Sequence, residues 1–216
     1  MSTPGNGQIP QATIERLPGY LRVLTDLADE GVARVSSNAL AEAVHVQPAL
    51  LRRDLSYFGS YGTRGVGYEV DTLMSEIGEL VGTRTTWPVV IVGAGNLGRA
   101  LARHGGLLHR GFQVVSMVDT DETRIGAEVG GIAVLPDAEL EEIVRRTGAR
   151  IAVLTTPAAA AQQAADRLIA QGVTSILNFA PITLEVPEGV TVRAVDLAQE
   201  LQILAFHEAH RTEPVQ

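Results

Sequence analysis

Val89-Val-Ile-Val-Gly-Ala-Gly-Asn-Leu-Gly-Arg-Ala-Leu101 reads as a strand, a glycine turn and the start of a helix. Gly93 allows the sharp turn, Gly95 lets the backbone approach a pyrophosphate, and Gly98 lets the helix pack closely on the strand. Ala94, Asn96 and Leu97 complete a loop and first helical turn whose free N–H groups and positive dipole end favour phosphate. Asp119 follows 26 residues after Gly93, at the end of the second apolar run. A carboxylate there hydrogen-bonds ribose hydroxyls and repels a 2′-phosphate, which points to NAD, as NADH or NAD+, rather than NADP. Asp121 competes for that role, and another adenine nucleotide such as coenzyme A stays open on the same fold.

Downstream, apolar runs at Val114–Val118, Ile132–Leu135, Ile151–Leu154, Ser175–Leu177 and Val190–Val195 are separated by helical or loop segments. This βαβ rhythm predicts a Rossmann-type, doubly wound parallel sheet in an α/β protein. Ligands on such sheets bind at the carboxyl ends of strands, so Thr156 and Pro157 after one run, and Asn178 after the next, are candidate cofactor contacts. A helix from about Leu197 to His210 closes the chain, with apolar residues on more than one face.

Upstream, residues to about Gly82 read as helices and turns. Ala12 to Gly31 has Ile14, Leu17, Leu21, Leu24 and Leu27 at helical spacing. Ser36 or Ser37 can cap a short helix, a turn follows at His45 to Gln47, and Pro48 opens a helix to about Phe58. Gly59 to Tyr68 has four glycines in ten residues, which suits a two-stranded wing. Helix, turn, helix and wing is the layout of a winged helix-turn-helix, whose second helix lies in a major groove. Arg52 and Arg53, one turn from Tyr57, sit on that helix, and Arg64 and Gly65 sit in the wing. One arginine of the pair can read a guanine edge while the other meets phosphate. Arg64 can enter a narrow minor groove.

Composition narrows the chemistry. There is no cysteine, which excludes disulfides, thiol switches and cysteine-ligated metals. All 17 basic residues are arginine, so lysine Schiff bases are excluded too. The net charge of -8 is unusual for a DNA-binding chain, so a basic surface must be local. No apolar run reaches the roughly 18 residues of a membrane span, and the polar first ten residues lack a secretory pattern. A cytoplasmic protein with no membrane and no metal partner is expected.

Several stretches match a known pattern in order along nearly the whole chain. They are Arg16-Leu-Pro-Gly-Tyr-Leu-Arg22, Val35-Ser-Ser-Asn-Ala-Leu40, Leu51-Arg-Arg-Asp-Leu-Ser-Tyr-Phe-Gly-Ser-Tyr-Gly-Thr-Arg-Gly-Val-Gly-Tyr68, the Gly93 loop, Val118-Asp-Thr-Asp121 and Ile176-Leu-Asn-Phe-Ala-Pro181. Together they resemble the Rex family of bacterial redox-sensing repressors. The resemblance implies a homodimer with an N-terminal winged helix (residues 1–83), a Rossmann domain (84–195) and a domain-swapped last helix with its tail (196–216). It implies binding to palindromic double-stranded operator DNA and release when NADH binds, with NAD+ competing without release. It also implies that Arg22 and Asp196 pair between subunits in the DNA-competent state. Two positions depart from some members: His104 where a tyrosine borders the nicotinamide, and Leu197 where a phenylalanine follows the switch aspartate.

Two other functions fit parts of the pattern. An NAD-dependent dehydrogenase would share the cofactor domain, yet no catalytic domain follows it and the five histidines form no acid–base constellation. A coenzyme-A-type binding module would share the fold, with the N-terminal half contacting protein instead of DNA.

Overall fold

The computed structural model describes residues 9–59, 62–63 and 67–211. The chain divides into two compact units, Met1–Thr85 and Thr86–Gln216.

The first unit begins with α1 (Gln11–Asp29), which ends at Gly31 with φ +75°. The face it buries is Thr13, Leu17, Tyr20 and Leu24, while Ile14 stays exposed. Hydrophobicity alone selects Ile14 for burial. Thr13 takes the inward position because its hydroxyl donates to the buried carboxylate of Asp54. After β1 (Arg34–Val35), Ser36 caps α2 (Ser37–Ala43) by accepting from the Ala39 N–H at 3.1 Å. His45, at φ +55°, makes the turn into α3 (Pro48–Ser56), which Pro48 opens at its first position. The wing is β2 (Gly62–Thr63) and β3 (Gly67–Glu69), antiparallel as the glycine pattern predicts. A third strand joins it, because β1 pairs with β3 to give the order β1-β3-β2. Gly67 makes that pairing possible: at φ +89°, a Cβ there would lie 2.4 Å from the Val35 carbonyl oxygen. Helix α4 (Val70–Leu80) then lies on α1 and closes a core built from Leu17, Tyr20, Leu24, Leu40, Leu51, Leu55, Leu73 and Ile77.

The second unit is a doubly wound sheet. Its strands are β4 (Trp87–Val92), β5 (Phe112–Asp119), β6 (Glu128–Val129), β7 (Ile132–Pro136), β8 (Ile151–Leu154), β9 (Ser175–Asn178) and β10 (Thr191–Ala194). They lie in the order β10-β9-β8-β4-β5-β7-β6. All adjacent pairs are parallel except the short β6, which runs antiparallel to β7. The connecting helices are α5 (Asn96–Ala102), α6 (Gly106–His109), α7 (Leu140–Thr147) and α8 (Ala158–Ala170). Two apolar clusters share the strands. One gathers Val90, Val92, Ile143, Leu154 and Leu168, and the other Val89, Ile91, Met117 and Val134. This is the burial on both faces that a parallel sheet requires. The chain reverses direction across the sheet between β4 and β8, so the crevice at their carboxyl ends is the topological switch point.

Helix α9 (Leu197–Ala209) has no buried residue, although Leu197, Leu201, Ile203, Leu204 and Phe206 are large and apolar. No helix of the described residues is long and apolar enough to cross a membrane.

Candidate nucleotide cleft and DNA-reading surface

The three loop glycines do three different things. Gly93 has φ +102°, and a Cβ on it would come within 2.8 Å of the Thr155 carbonyl oxygen. A Cβ on Gly98 would lie 2.0 Å from the Gly93 carbonyl oxygen. These two let the loop fold against β8, and the Thr155 hydroxyl locks it by donating to the Gly93 carbonyl at 2.7 Å. Gly95 is ordinary extended backbone, and the nearest atom to a Cβ there is the Arg124 guanidinium at 4.0 Å. Its lack of a side chain serves nothing inside the protein and leaves the backbone approachable from the cleft.

That cleft has a volume of about 420 Å³, within the range of small-molecule sites. It brings together Gly93, Gly95, Asp119, Asp121, Thr156 and Pro157. Asp119 is buried, and its carboxylate accepts from the Ala94 N–H at 2.6 Å and the Asp121 N–H at 2.8 Å. Burial pushes its pKa up, but those two backbone donors and the Arg124 guanidinium outweigh burial and hold it below the usual carboxylate range. Asp121 is more exposed, and the Thr123 hydroxyl and N–H hold it low as well. Arg124 bridges both acids at 3.1 Å. Thr156 lines the cleft with unused bonding capacity: its hydroxyl oxygen is buried with no partner among the described residues. A buried orphan hydroxyl beside a bare glycine backbone fits a ligand that carries phosphate or sugar oxygens.

Other predicted positions serve the loop rather than the cleft. Ala94 is buried, Gly98 packs inward, and Asn96 and Leu97 begin α5 facing solvent. Two predicted positions lie away from this cleft. Asn178 spends its amide internally, donating to the carbonyls of Ala180 and Ile182 and accepting from the Ala180 N–H, so it shapes a loop and does not line the cleft. His104 does not line it either. Helix α5 runs back along the sheet, and His104 borders a second cleft of about 590 Å³ beside Phe112 and Val114. The glycine cleft meets the other end of β5, at Val118 and Asp119.

The sequence reading missed Arg124 and Arg167. Arg124 had a local signal, its spacing of three from Asp121 and five from Asp119. Arg167 had none: it reaches from the alanine-rich α8 to Asp137 and Glu141, distant in sequence, and holds Glu141 down at about 2.

In the first unit, α3 turns Leu51, Asp54 and Leu55 inward and leaves Arg52 and Arg53 exposed. The Arg52 guanidinium donates to the Ser37 hydroxyl at 3.3 Å, whereas Arg53 pairs with no acid among the described residues. Tyr57 is half-buried against the core. Arg64 and Gly65 lie outside the described residues. Arg22 is exposed on α1. Asp196 caps α9 through the N–H groups of Ala198 and Gln199, and Leu197 beside it is exposed.

Beneath α3, the 1% exposed carboxylate of Asp54 accepts from Thr13 (2.9 Å), from Arg16 (2.6 and 2.8 Å) and from Tyr20 (2.6 Å). Burial pushes the Asp54 pKa up, and these donors more than reverse it, Arg16 foremost. A depressed folded pKa contributes stability above the unfolded value of about 3.9, and that contribution is lost as pH falls through the lower folded value. Asp54→Asn is therefore expected to lower unfolding stability by about 2–3 kcal/mol at pH 7, and to flatten the acid limb below about pH 4. Urea titrations across pH check both. An unchanged acid limb would remove Asp54 from it.

A winged helix and a Rossmann domain in one chain define a nucleotide-binding DNA-reading protein. Residues 8–56 match the family model described as "Putative DNA-binding protein N-terminus", and residues 84–182 match "CoA binding domain". The redox-sensing transcriptional repressor Rex of Streptomyces coelicolor is 57% identical over 94% of this chain and 79% of its own length. Rex of Carboxydothermus hydrogenoformans is 47% identical over 93% of this chain and 96% of its own. Among crystal structures, the Rex-family repressor RSP in complex with β-NAD+ and operator DNA matches with a TM-score of 0.89 and 33% identity, covering 94% of this chain and 95% of that one. RSP in complex with β-NADH matches with a TM-score of 0.85 and 32% identity, over 94% of this chain and 97% of that one. The chain belongs to the Rex family of redox-sensing transcriptional repressors.

Proposed function

We propose that this chain is a repressor that binds palindromic operator DNA as a homodimer and lets go when NADH fills the glycine cleft. The observation that carries the reading is one polypeptide holding both an exposed arginine pair on a helix-turn-helix and a bare-backbone cleft edged by two carboxylates. Residues 1–83 read DNA, 84–195 hold the cofactor, and 196–216 join the subunits. Such a repressor works in the cytoplasm, where bacterial operators are.

The switch is thermodynamic. NADH must favour the arrangement that cannot hold DNA, and by reciprocity operator DNA must weaken NADH binding by the same factor. A neutral dihydronicotinamide enters an apolar pocket at little cost, whereas the cationic ring of NAD+ is penalised by desolvation. Arg22 and Asp196 are the charge pair we assign to the DNA-competent state, with Leu197 next to the second of them. The cofactor acts here as a ligand and not as a reactant. The chain has no lysine, and none of its five histidines lines the glycine cleft.

The match to a coenzyme-A-binding model favours one alternative ligand. Coenzyme A carries a phosphate on its adenosine ribose, and Asp119 and Asp121 would repel it where they accept the free hydroxyls of NAD. Binding to a pool of genomic fragments without cofactor, with NAD+ and with NADH tests the reading. Selective fragments released by NADH and retained with NAD+ are expected. No selective fragment under any condition overturns it.

Arg53, exposed and unpaired with any described acid, is the better candidate for a base contact than Arg52, which is tied to Ser37. Arg53→Ala is expected to weaken operator binding by about 1–3 kcal/mol, roughly fivefold to 150-fold, with NADH affinity in the absence of DNA unchanged. Filter binding and calorimetry measure the two. Full operator affinity in the variant would exclude Arg53 from the interface.

A further inference from the structure

Asp54 stands between the arginine pair and the core, one residue after Arg53. All four of its side-chain hydrogen bonds come from α1, from Thr13, Arg16 and Tyr20, which share one helix face. The core already joins the two helices through Leu17, Leu24, Leu51 and Leu55. Losing Asp54 alone would strand its donors, yet stability by itself does not call for such a network, because replacing all its members by apolar residues of similar volume would serve as well. What such a network does supply is one register. Apolar contacts tolerate sliding and rotation, while a carboxylate held by four donors admits a single axial and rotational setting of one helix against the other.

We infer that Asp54, with Thr13 and Tyr20, is a positioning site for DNA reading: it keys α3 to α1 and so fixes where Arg52 and Arg53 point. The inference rests on the repressor reading above. It gives α1 a second task. Arg22 lies on the same helix two residues beyond Tyr20, so any displacement of α1 at the subunit switch is passed to the reading helix through Asp54. Phosphate contacts tolerate a small rotation of α3, and base-edge contacts do not. The network therefore governs discrimination between sequences more than general attraction to DNA.

Tyr20→Phe tests this, because it removes one hydroxyl and keeps the packing. Asp54→Asn is the second variant, measured under conditions where circular dichroism shows it folded. The full chain is titrated with an operator fragment selected as above and with a scrambled duplex of the same length. Tyr20→Phe is expected to lose at least about tenfold on the operator and less than about twofold on the scrambled duplex. In an Arg53→Ala background the operator loss should shrink to about threefold or less, since the residue being positioned is gone. Undiminished operator affinity in folded Tyr20→Phe, or equal losses on both duplexes, overturns the inference and leaves the network a stabilising one. Failure of the unmodified chain to prefer any operator instead overturns the repressor reading, and the inference with it.

Discussion

Gly95→Val is expected to give a folded repressor that holds its operator and no longer releases it when NADH is added. The three glycines of the loop separate this outcome from simple damage. At Gly98 even a methyl group would meet the Gly93 carbonyl oxygen at 2.0 Å, and at Gly93 the backbone is left-handed, so substitutions there break the loop itself. At Gly95 the backbone is extended and the closest atom is the flexible Arg124 side chain at 4.0 Å. A Cβ is accommodated by the protein there, and the valine methyl groups beyond it are expected to fill the space a pyrophosphate needs. NADH affinity should fall by at least about a hundredfold, equivalent to about 2.7 kcal/mol, while thermal stability and operator affinity without cofactor stay near those of the unmodified chain. Calorimetry with NADH and operator titration with and without it measure both arms. Release by NADH at unmodified concentrations would place the cofactor elsewhere.

What could be read from the sequence was local, and what could not was long-range. The glycine loop declares itself within ten residues because turn, approach and packing each need a missing side chain at a fixed offset. The parallel sheet follows from the alternation of apolar runs, since a right-handed crossover leaves few alternatives. The short strands β1 and β6 have two residues each and carry no period to detect. In the sequence Asp54 is one acid next to the Arg52–Arg53 pair. Its meaning lies in partners 34 to 41 residues away, and no pattern around Leu51–Ser56 announces them. Both Asp54 and its partners Arg16 and Tyr20 belong to stretches that carry the family resemblance. The resemblance thus located the residues without explaining them. Two positions singled out in the sequence lie away from the glycine cleft: His104, placed by the direction of α5, and Asn178, chosen for its position after a strand, whose amide bonds within its own loop.

The double variant Leu201→Glu, Leu204→Glu is expected to dissociate the dimer and to abolish operator binding at concentrations that saturate the unmodified chain. Leu197, Leu201 and Leu204 form one stripe of α9, and Ile203 and Phe206 lie on the other side. None is buried within its own chain, and Leu201 and Leu204 are each more than 60% exposed. A helix apolar on two sides is stable in water only when something covers both. A second copy of the chain is the occupant that the two-fold symmetry of a palindromic site requires. Each leucine buried there is worth about 1.5–3 kcal/mol, and symmetry counts each twice. Two carboxylates in their place add desolvation costs of their own. Dimer affinity should therefore fall by at least about a thousandfold, which sedimentation at micromolar concentration would register as monomer. Because the cleft lies wholly within residues 92–167 of one chain, the monomer should still bind NADH, with its affinity indifferent to operator DNA. A variant that remains dimeric and holds its operator would mean that α9 folds back on its own chain in solution, and the subunit contact would have to be sought on another face.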